Sequence, residues 1–431
     1  MSFAELYRQK LIAAEEAVKK VHSDDEIVVG LAASEAPALL SKLHCVKDQV
    51  QNVSVLMTLT LGEYDFYMKP EMKGHFLLNT WYHGAGPRKA HDYGTVSYNP
   101  THLHNAMTKR LTVKKPKIFF GTAAPMDQHG YLNLSLGLTY EKEAIENADL
   151  VILEVNENLP RTHGDTHIHI RDVDYVVENT KPVPALPPVE PTEKDKIIGR
   201  YVADLVEDGA TIQLGIGGIS NAAALFLTEK KDLGVHTEML SDPIVDLVEA
   251  GVITGKRKTL WKDKIVATFA FGSKKIYDFI DNNPSVEIHR GCVVNDPNVV
   301  AQNYKMTSIN TTLQVDLFGQ CCSEAIGIRQ YSGSGGAADT AIGAQRSLGG
   351  KSIVALYSTA KKDSISSIVS SLSPGAAVTI ARNDVDYVVT EYGVAHLRSC
   401  NVRERVEKLI NIAHPKFRDA LREEADRLAI W

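Results

Sequence analysis

No stretch of this 431-residue chain approaches the roughly 18–20 consecutive apolar residues that a membrane-spanning helix needs. Its start, Met1-Ser2-Phe3-Ala4-Glu5-Leu6, lacks the basic segment followed by an apolar one that marks a secretory signal. Cysteine is scarce. Cys45, Cys292, Cys321, Cys322 and Cys400 are an odd number with no C-x-x-C pair, which argues against a disulfide framework or a zinc site. A reducing, cytoplasmic setting is expected. Positive charge is not in excess: 47 Lys and Arg face 53 Asp and Glu, for a net charge of -6. That balance argues against a dedicated nucleic-acid binder. What the chain does have is 44% apolar residues, enough for globular cores, and the length of about two domains.

One segment reads as a linker. Lys181 to Pro191 holds five prolines in eleven positions, which forbids a helix interior. The expected organisation is an N-terminal domain over residues 1–181, a proline-rich linker over 182–194 and a C-terminal domain over 195–431. In each half, short β-branched runs alternate with Ala- and Leu-rich helical patterns. This predicts two similar open α/β domains with mostly parallel sheets. The tail from Val402 to Trp431 reads as helix interrupted at Pro415.

The halves resemble each other. Ile27-Val28-Val29-Gly30-Leu31-Ala32-Ala33-Ser34 parallels Ile212-Gln213-Leu214-Gly215-Ile216-Gly217-Gly218-Ile219: an apolar strand, a glycine, small residues, then a helix. A second pairing sets Asp149-Leu150-Val151-Ile152-Leu153-Glu154 against Asp386-Tyr387-Val388-Val389-Thr390-Glu391. Between these motifs, matching Met57 to Met239 puts Leu56 opposite Glu238. A carboxylate then stands where the other half has an apolar residue, and such asymmetry points to function.

Glycines after a strand let the backbone approach a ligand and expose N–H groups at a helix start. The bland alternative for Gly215-Ile216-Gly217-Gly218 is a tight turn that binds nothing. A dinucleotide site is the chemical rival. It needs G-x-G-x-x-G, but Ser220 replaces the third glycine. Glu238 nonetheless lies where a ribose-binding acid would sit, so spacing alone leaves a nicotinamide-dependent dehydrogenase open.

Taken together, several motifs resemble the acetyl-CoA hydrolase/transferase branch of the class I CoA-transferases. They are Gln213 to Ala222, Leu233 to Met239, Gln330-Tyr331-Ser332-Gly333-Ser334-Gly335-Gly336, Ala381 to Gly393 and Ile410-Asn411-Ile412-Ala413-His414-Pro415. In the first half, Ala124 to Tyr131 and Glu154 to Arg161 join them. The likeness covers essentially the whole chain and is nearest to the 4-hydroxybutyrate and butyryl-CoA:acetate CoA-transferases. It implies two NagB/RpiA/CoA-transferase-like domains and a ping-pong reaction in which Glu238 is the nucleophile. Gly217 and Gly218 are the implied oxyanion donors. Coenzyme A contacts carry over to Gly215, Ile216, Gly217, Gly218 and Ile219, and to Leu313, Gly336, Lys361 and Lys362. The implied partners are acyl-CoA and small carboxylic acids, with coenzyme A as substrate and no permanently bound cofactor or metal. Homodimers or homotetramers are usual in the family. A short dicarboxylate such as succinate or itaconate, or water in a hydrolase, are the alternative acceptors. An unperturbed glutamate, with a pKa of about 4.3, would be ionised at neutral pH without a base.

Other features have plainer readings. His163, His167 and His169 invite a metal, but Gly164 interrupts any straight strand and a polar loop is the first expectation. Glu391 is the second conspicuous carboxylate and a catalytic alternative to Glu238; Glu154 occupies the equivalent place in the first copy, so a shared structural role, bonding a turn, is the expectation. Leu31, Thr60 and Arg88 are candidates for shaping acyl specificity, with packing and surface charge the simpler account.

Overall fold

The computed structural model describes residues 2–187 and 189–431, so Pro188 of the expected linker lies outside the described residues. The chain forms two compact units: Met1–Leu186 with Val266–Val294, and Pro187–Ile265 with Asn295–Trp431. One break falls inside the proline-rich stretch. The segment Val266–Val294, which the contiguous division assigns to the second domain, groups with the first unit. Hydrogen bonds hold it there. The Leu138 N–H donates to Thr268 O at 2.9 Å and the Ala270 N–H to Leu136 O at 2.8 Å. Glu287 and Ile288 also pair in parallel with His163 and Gly164. His167–His169 pairs instead with Tyr131–Asn133, so the three histidines belong to two different strands.

In the first unit, seven strands form one sheet: β1 (Glu26–Val29), β2 (Val53–Met57), β3 (Phe76–Thr80), β4 (Val96–Tyr98), β5 (Ile118–Ala123), β6 (Leu150–Val155) and β7 (Tyr175–Glu178). Their order is β7-β6-β5-β1-β2-β3-β4, and every pairing is parallel. Parallel strands are covered on both faces and so read as unbroken apolar runs. Ile27, Val28, Val29, Phe119 and Phe120 are accordingly fully buried. Helix α1 (Pro37–Lys42) follows β1, with proline at its start, where a missing N–H costs nothing.

In the second unit, α2 (Glu193–Leu205) begins at a capping box in which Thr192 and Asp195 satisfy each other's backbone N–H groups. After it come β8 (Thr211–Leu214), α3 (Gly218–Leu227), β9 (Gly234–Leu240), β10 (Met306–Thr311), α4 (Ala337–Arg346), β11 (Lys351–Ala355), β12 (Tyr387–Thr390) and β13 (Gly393–His396). The strand order is β13-β12-β11-β10-β8-β9, parallel apart from the β12–β13 hairpin. The tail forms α5 (Val402–Ile412) and α6 (Arg418–Arg427) on either side of Pro415, as its pattern predicts. Among the described residues no helix is long and apolar enough to cross a membrane.

The duplication is visible in the strand orders: β7-β6-β5-β1-β2 matches β12-β11-β10-β8-β9. This match corrects two sequence pairings. The equivalent of Asp386 is Asp174, not Asp149. Asp174 accepts the Val151 N–H at 2.8 Å, and Asp386 accepts the Ser352 N–H at 2.9 Å, each tying its strand to the neighbour's second residue. Second, Ile27 faces Val55 while Ile212 faces Val235. Counting three residues on, Glu238 stands opposite Thr58, and Leu56 opposite His236. The matched methionines had shifted the register by two residues, which preserves the side-chain face and so hides the slip.

Candidate active site

Glu238 is the fifth residue of β9 and is half-buried. Its Oε2 accepts two hydrogen bonds, from the Gly336 N–H at 2.7 Å and from Asn295 Nδ2 at 3.1 Å. Its Oε1 accepts none among the described residues. Burial, with Asp339 nearby, pushes the carboxyl up to about 7, while the Asn295 and Gly336 donors pull it down. The sequence-based premise of an ordinary carboxylate, fully ionised at neutral pH, therefore does not hold.

Three buried glutamates and the half-buried Glu391 differ in kind. Glu35 bonds the Leu61 N–H through one oxygen and the Gly62 N–H and Tyr64 hydroxyl through the other. Glu141 takes the Leu31 and Tyr140 N–H groups on separate oxygens. Glu154 takes the Ala38 N–H and the Asn179 amide, and Glu391 takes the N–H and hydroxyl of Ser358. Each of these four spends both oxygens on its own chain. By position, Asn179 rather than Glu154 is the counterpart of Glu391. Glu238 differs from these four in being anchored at one oxygen with the other uncommitted; Glu143 shares that pattern, with Oε1 bonded by Cys292 Sγ, but its unpartnered Oε2 is sealed in the interior.

The glycine turn lies beside it. Extending the pairing Thr211–Gly234 and Ile212–Val235 sets Gly215, just past β8, level with Glu238 on the adjacent strand. Gly217 has φ 105° and ψ 177°, a conformation open to glycine alone. It is the N-cap of α3 and supplies no side chain, so the N–H groups of the first turn have no cap. Ile216 and Gly217 are exposed, Gly215 and Gly218 half-buried, and Ile219 buried. A side chain on Gly218 would meet the Asp195 carboxylate at 2.7–2.8 Å.

Gly336 caps α4 and directs its N–H at Glu238, placing the carboxylate at that helix's positive end. A Cβ here would meet Asn295 Nδ2 at 2.1 Å and Glu238 Oε2 at 2.2 Å. The resemblance implied a coenzyme A contact for Gly336; its N–H is committed to Glu238. Leu313 is half-buried and its N–H donates to Cys322 O. Lys361 and Lys362 are exposed on a hairpin turn, where Lys361, Lys362 and Asp363 all have φ between +48° and +60°. Left-handed backbone costs about 1–2 kcal/mol for each such residue. Neither lysine has an ion-pair partner among the described residues. Asn295 is the site residue the sequence reading missed. It is fully buried with no partner for its Oδ1, but buried asparagine leaves no mark in a sequence. No group of three or more His, Cys, Asp or Glu among the described residues is placed to hold a metal ion.

Residues 1–187 match the acetyl-CoA hydrolase/transferase N-terminal domain, and residues 272–425 match the C-terminal domain of the same family. The chain belongs to the acetyl-CoA hydrolase/transferase family. It is 46% identical over 428 residues to 4-hydroxybutyrate coenzyme A transferase of Clostridium kluyveri, covering 98% of this chain and 99% of that one. It is 37% identical to butyryl-CoA:acetate CoA-transferase of Anaerostipes caccae, over 100% and 99% of the two chains. The crystal structure of RipA from Yersinia pestis superposes with a TM-score of 0.94 at 35% identity, over the whole of both chains. This family member is thus an enzyme of the CoA-transferase class, and enzymes of that class take coenzyme A as a substrate.

Proposed function

We propose that the protein moves coenzyme A between a short-chain acyl-CoA and a small carboxylate through a thioester on Glu238. The observation that carries this reading is the carboxylate with one anchored and one uncommitted oxygen, level with an uncapped glycine turn. The uncommitted Oε1 attacks the acyl carbonyl and expels the CoA thiolate, forming a mixed anhydride. The thiolate then attacks the glutamyl carbonyl; the first acid leaves and glutamyl-CoA remains. An incoming carboxylate attacks that carbonyl and releases the thiolate again. The thiolate takes the new acyl group and regenerates Glu238. Each attack develops an oxyanion, for which the N–H groups of Gly217 and Gly218 are the candidate donors; losing one such donor typically costs about 100- to 1000-fold in rate. Lys361 and Lys362 supply unpaired cations for the CoA phosphates.

The acids named for the relatives, 4-hydroxybutyrate, butyrate and acetate, are the first candidates. Steady-state rates with acetate varied against butyryl-CoA test the two-stage scheme. Parallel double-reciprocal lines are expected, with activity lost in Glu238→Ala. Intersecting lines, or retained turnover in the variant, contradict it. The same assay with succinate and itaconate, scored against release of free CoA, tests the dicarboxylate and hydrolase alternatives.

A further inference from the structure

The start of α2 touches both segments assigned to coenzyme A in the second unit. Asp195, 2% exposed, lies against Gly218 so closely that no larger residue fits there. Its Oδ2 accepts the Thr192 N–H at 2.8 Å and hydroxyl at 2.7 Å, and its Oδ1 accepts the Tyr357 hydroxyl at 2.6 Å. Tyr357 and Ser358 lead directly into the hairpin Thr359–Ala360 and Ile365–Ser366, whose turn is Lys361-Lys362-Asp363. The neighbouring Lys194 donates to Asp363 at 2.8 Å and lies 3.7 Å from Glu391, which holds Ser358.

A capping box needs only the Thr192–Asp195 exchange. It requires neither contact with Gly218 nor the bond from Tyr357, which lies 162 residues away in sequence. These added contacts are the ones that reach the glycine turn and the hairpin.

We propose that Asp195 is a positioning residue: it backs the glycine turn at Gly218 and, through Tyr357, ties that turn to the lysine hairpin. The inference rests on the reading of Gly217–Gly218 as oxyanion donors and of Lys361–Lys362 as CoA contacts. With the turn and hairpin joined at one carboxylate, donors for the reacting carbonyl and cations for the distant phosphates keep a fixed separation.

The test uses the full chain and one acyl-CoA, measuring kcat, KM for acyl-CoA, thermal midpoint and the rate of Glu238 adduct formation. Asp195→Ala is expected to lower kcat about 10- to 100-fold through a misplaced turn. Thr192→Ala removes the same helix cap while sparing the contacts with Gly218 and Tyr357; it lowers the midpoint but keeps kcat within about twofold of wild type. Gly218→Ala alone loses kcat, and adding Asp195→Ala restores part of it by freeing space for the methyl group. Tyr357→Phe, at a partly exposed site that tolerates the change, raises KM and lowers kcat about 3- to 10-fold.

Unchanged kcat in Asp195→Ala, equal kcat losses in Thr192→Ala, or additive losses in the double variant would overturn the proposal, as would a silent Tyr357→Phe. A wild-type protein that forms no adduct on Glu238 overturns the catalytic reading instead. An adduct that forms equally fast in wild type and Asp195→Ala overturns only the positioning role.

Discussion

Glu238 combines an uncommitted oxygen with a pKa raised by burial to about 7, whereas Glu35, raised as far, spends both oxygens on hydrogen bonds. The raised value makes the anion a better nucleophile but leaves only about half of it ionised at pH 7. Provided Glu238 attack limits the rate, kcat/KM for acyl-CoA is expected to fall about tenfold per unit below pH 7 and to level off above it. Asn295→Ala removes a donor that favours the charged form, so the midpoint moves up by about one pH unit or more. Activity lost at pH 7 should then be largely regained near pH 9. The same shift affects stability. The folded-state value lies above the ordinary 4.5, so this group's contribution is full below about 4.5 and is lost as pH rises through about 7. Ionising the buried group costs on the order of 3 kcal/mol. Glu238→Gln should therefore melt higher than wild type at pH 8, by about 5–10 °C, with the gap narrowing toward pH 5. Thermal scans at both pH values check this. Glu238 stood out in the sequence through the asymmetry between the halves and the motif resemblance, since its distance from the glycine turn alone fitted a ribose-binding acid equally well. Asn295, its partner, did not, because a donor brought in from 57 residues away has no local signature.

At the scale of elements, the site is made by two helix starts and the strand between their parent loops. Both α3 and α4 begin at glycine without a side-chain cap, so each presents unsatisfied N–H groups where charge is handled. The α4 N-terminus meets Glu238 itself. Gly336→Ala places a methyl group within 2.2 Å of both Asn295 and Glu238. The expected cost is about 1–3 kcal/mol of stability and at least 100-fold in kcat, since the proposed nucleophile must move; a denaturant titration beside steady-state rates measures both. The elements themselves were readable from apolar runs and glycine punctuation. Their equivalences were less so. Asp174-Tyr175-Val176-Val177 repeats as Asp386-Tyr387-Val388-Val389, a repeat visible in the sequence itself, and strand order shows that it, not Asp149 to Glu154, is the structural counterpart. The asymmetry at Glu238 likewise survives in altered form: its counterpart is the hydroxyl of Thr58, not the alkyl chain of Leu56.

For the whole molecule, the two-fold α/β plan was legible, and its discontinuity was not. Residues 266–294 leave the second half and join the first through Leu136, Leu138 and His163. Such long-range pairing depends on backbone groups that every sequence possesses. It follows that residues 195–431 expressed alone should be poorly soluble, because Val266, Phe269 and Ile288, all buried in the full chain, lose their cover. Co-expression with residues 1–194 should restore a soluble complex; an independently folded C-terminal fragment would contradict this. The central claim remains the covalent role of Glu238. The most direct test is incubation with acyl-CoA and no acceptor, followed by borohydride or hydroxylamine and peptide mapping. A modification confined to Glu238 is predicted; a modified residue elsewhere, or none, would contradict the account.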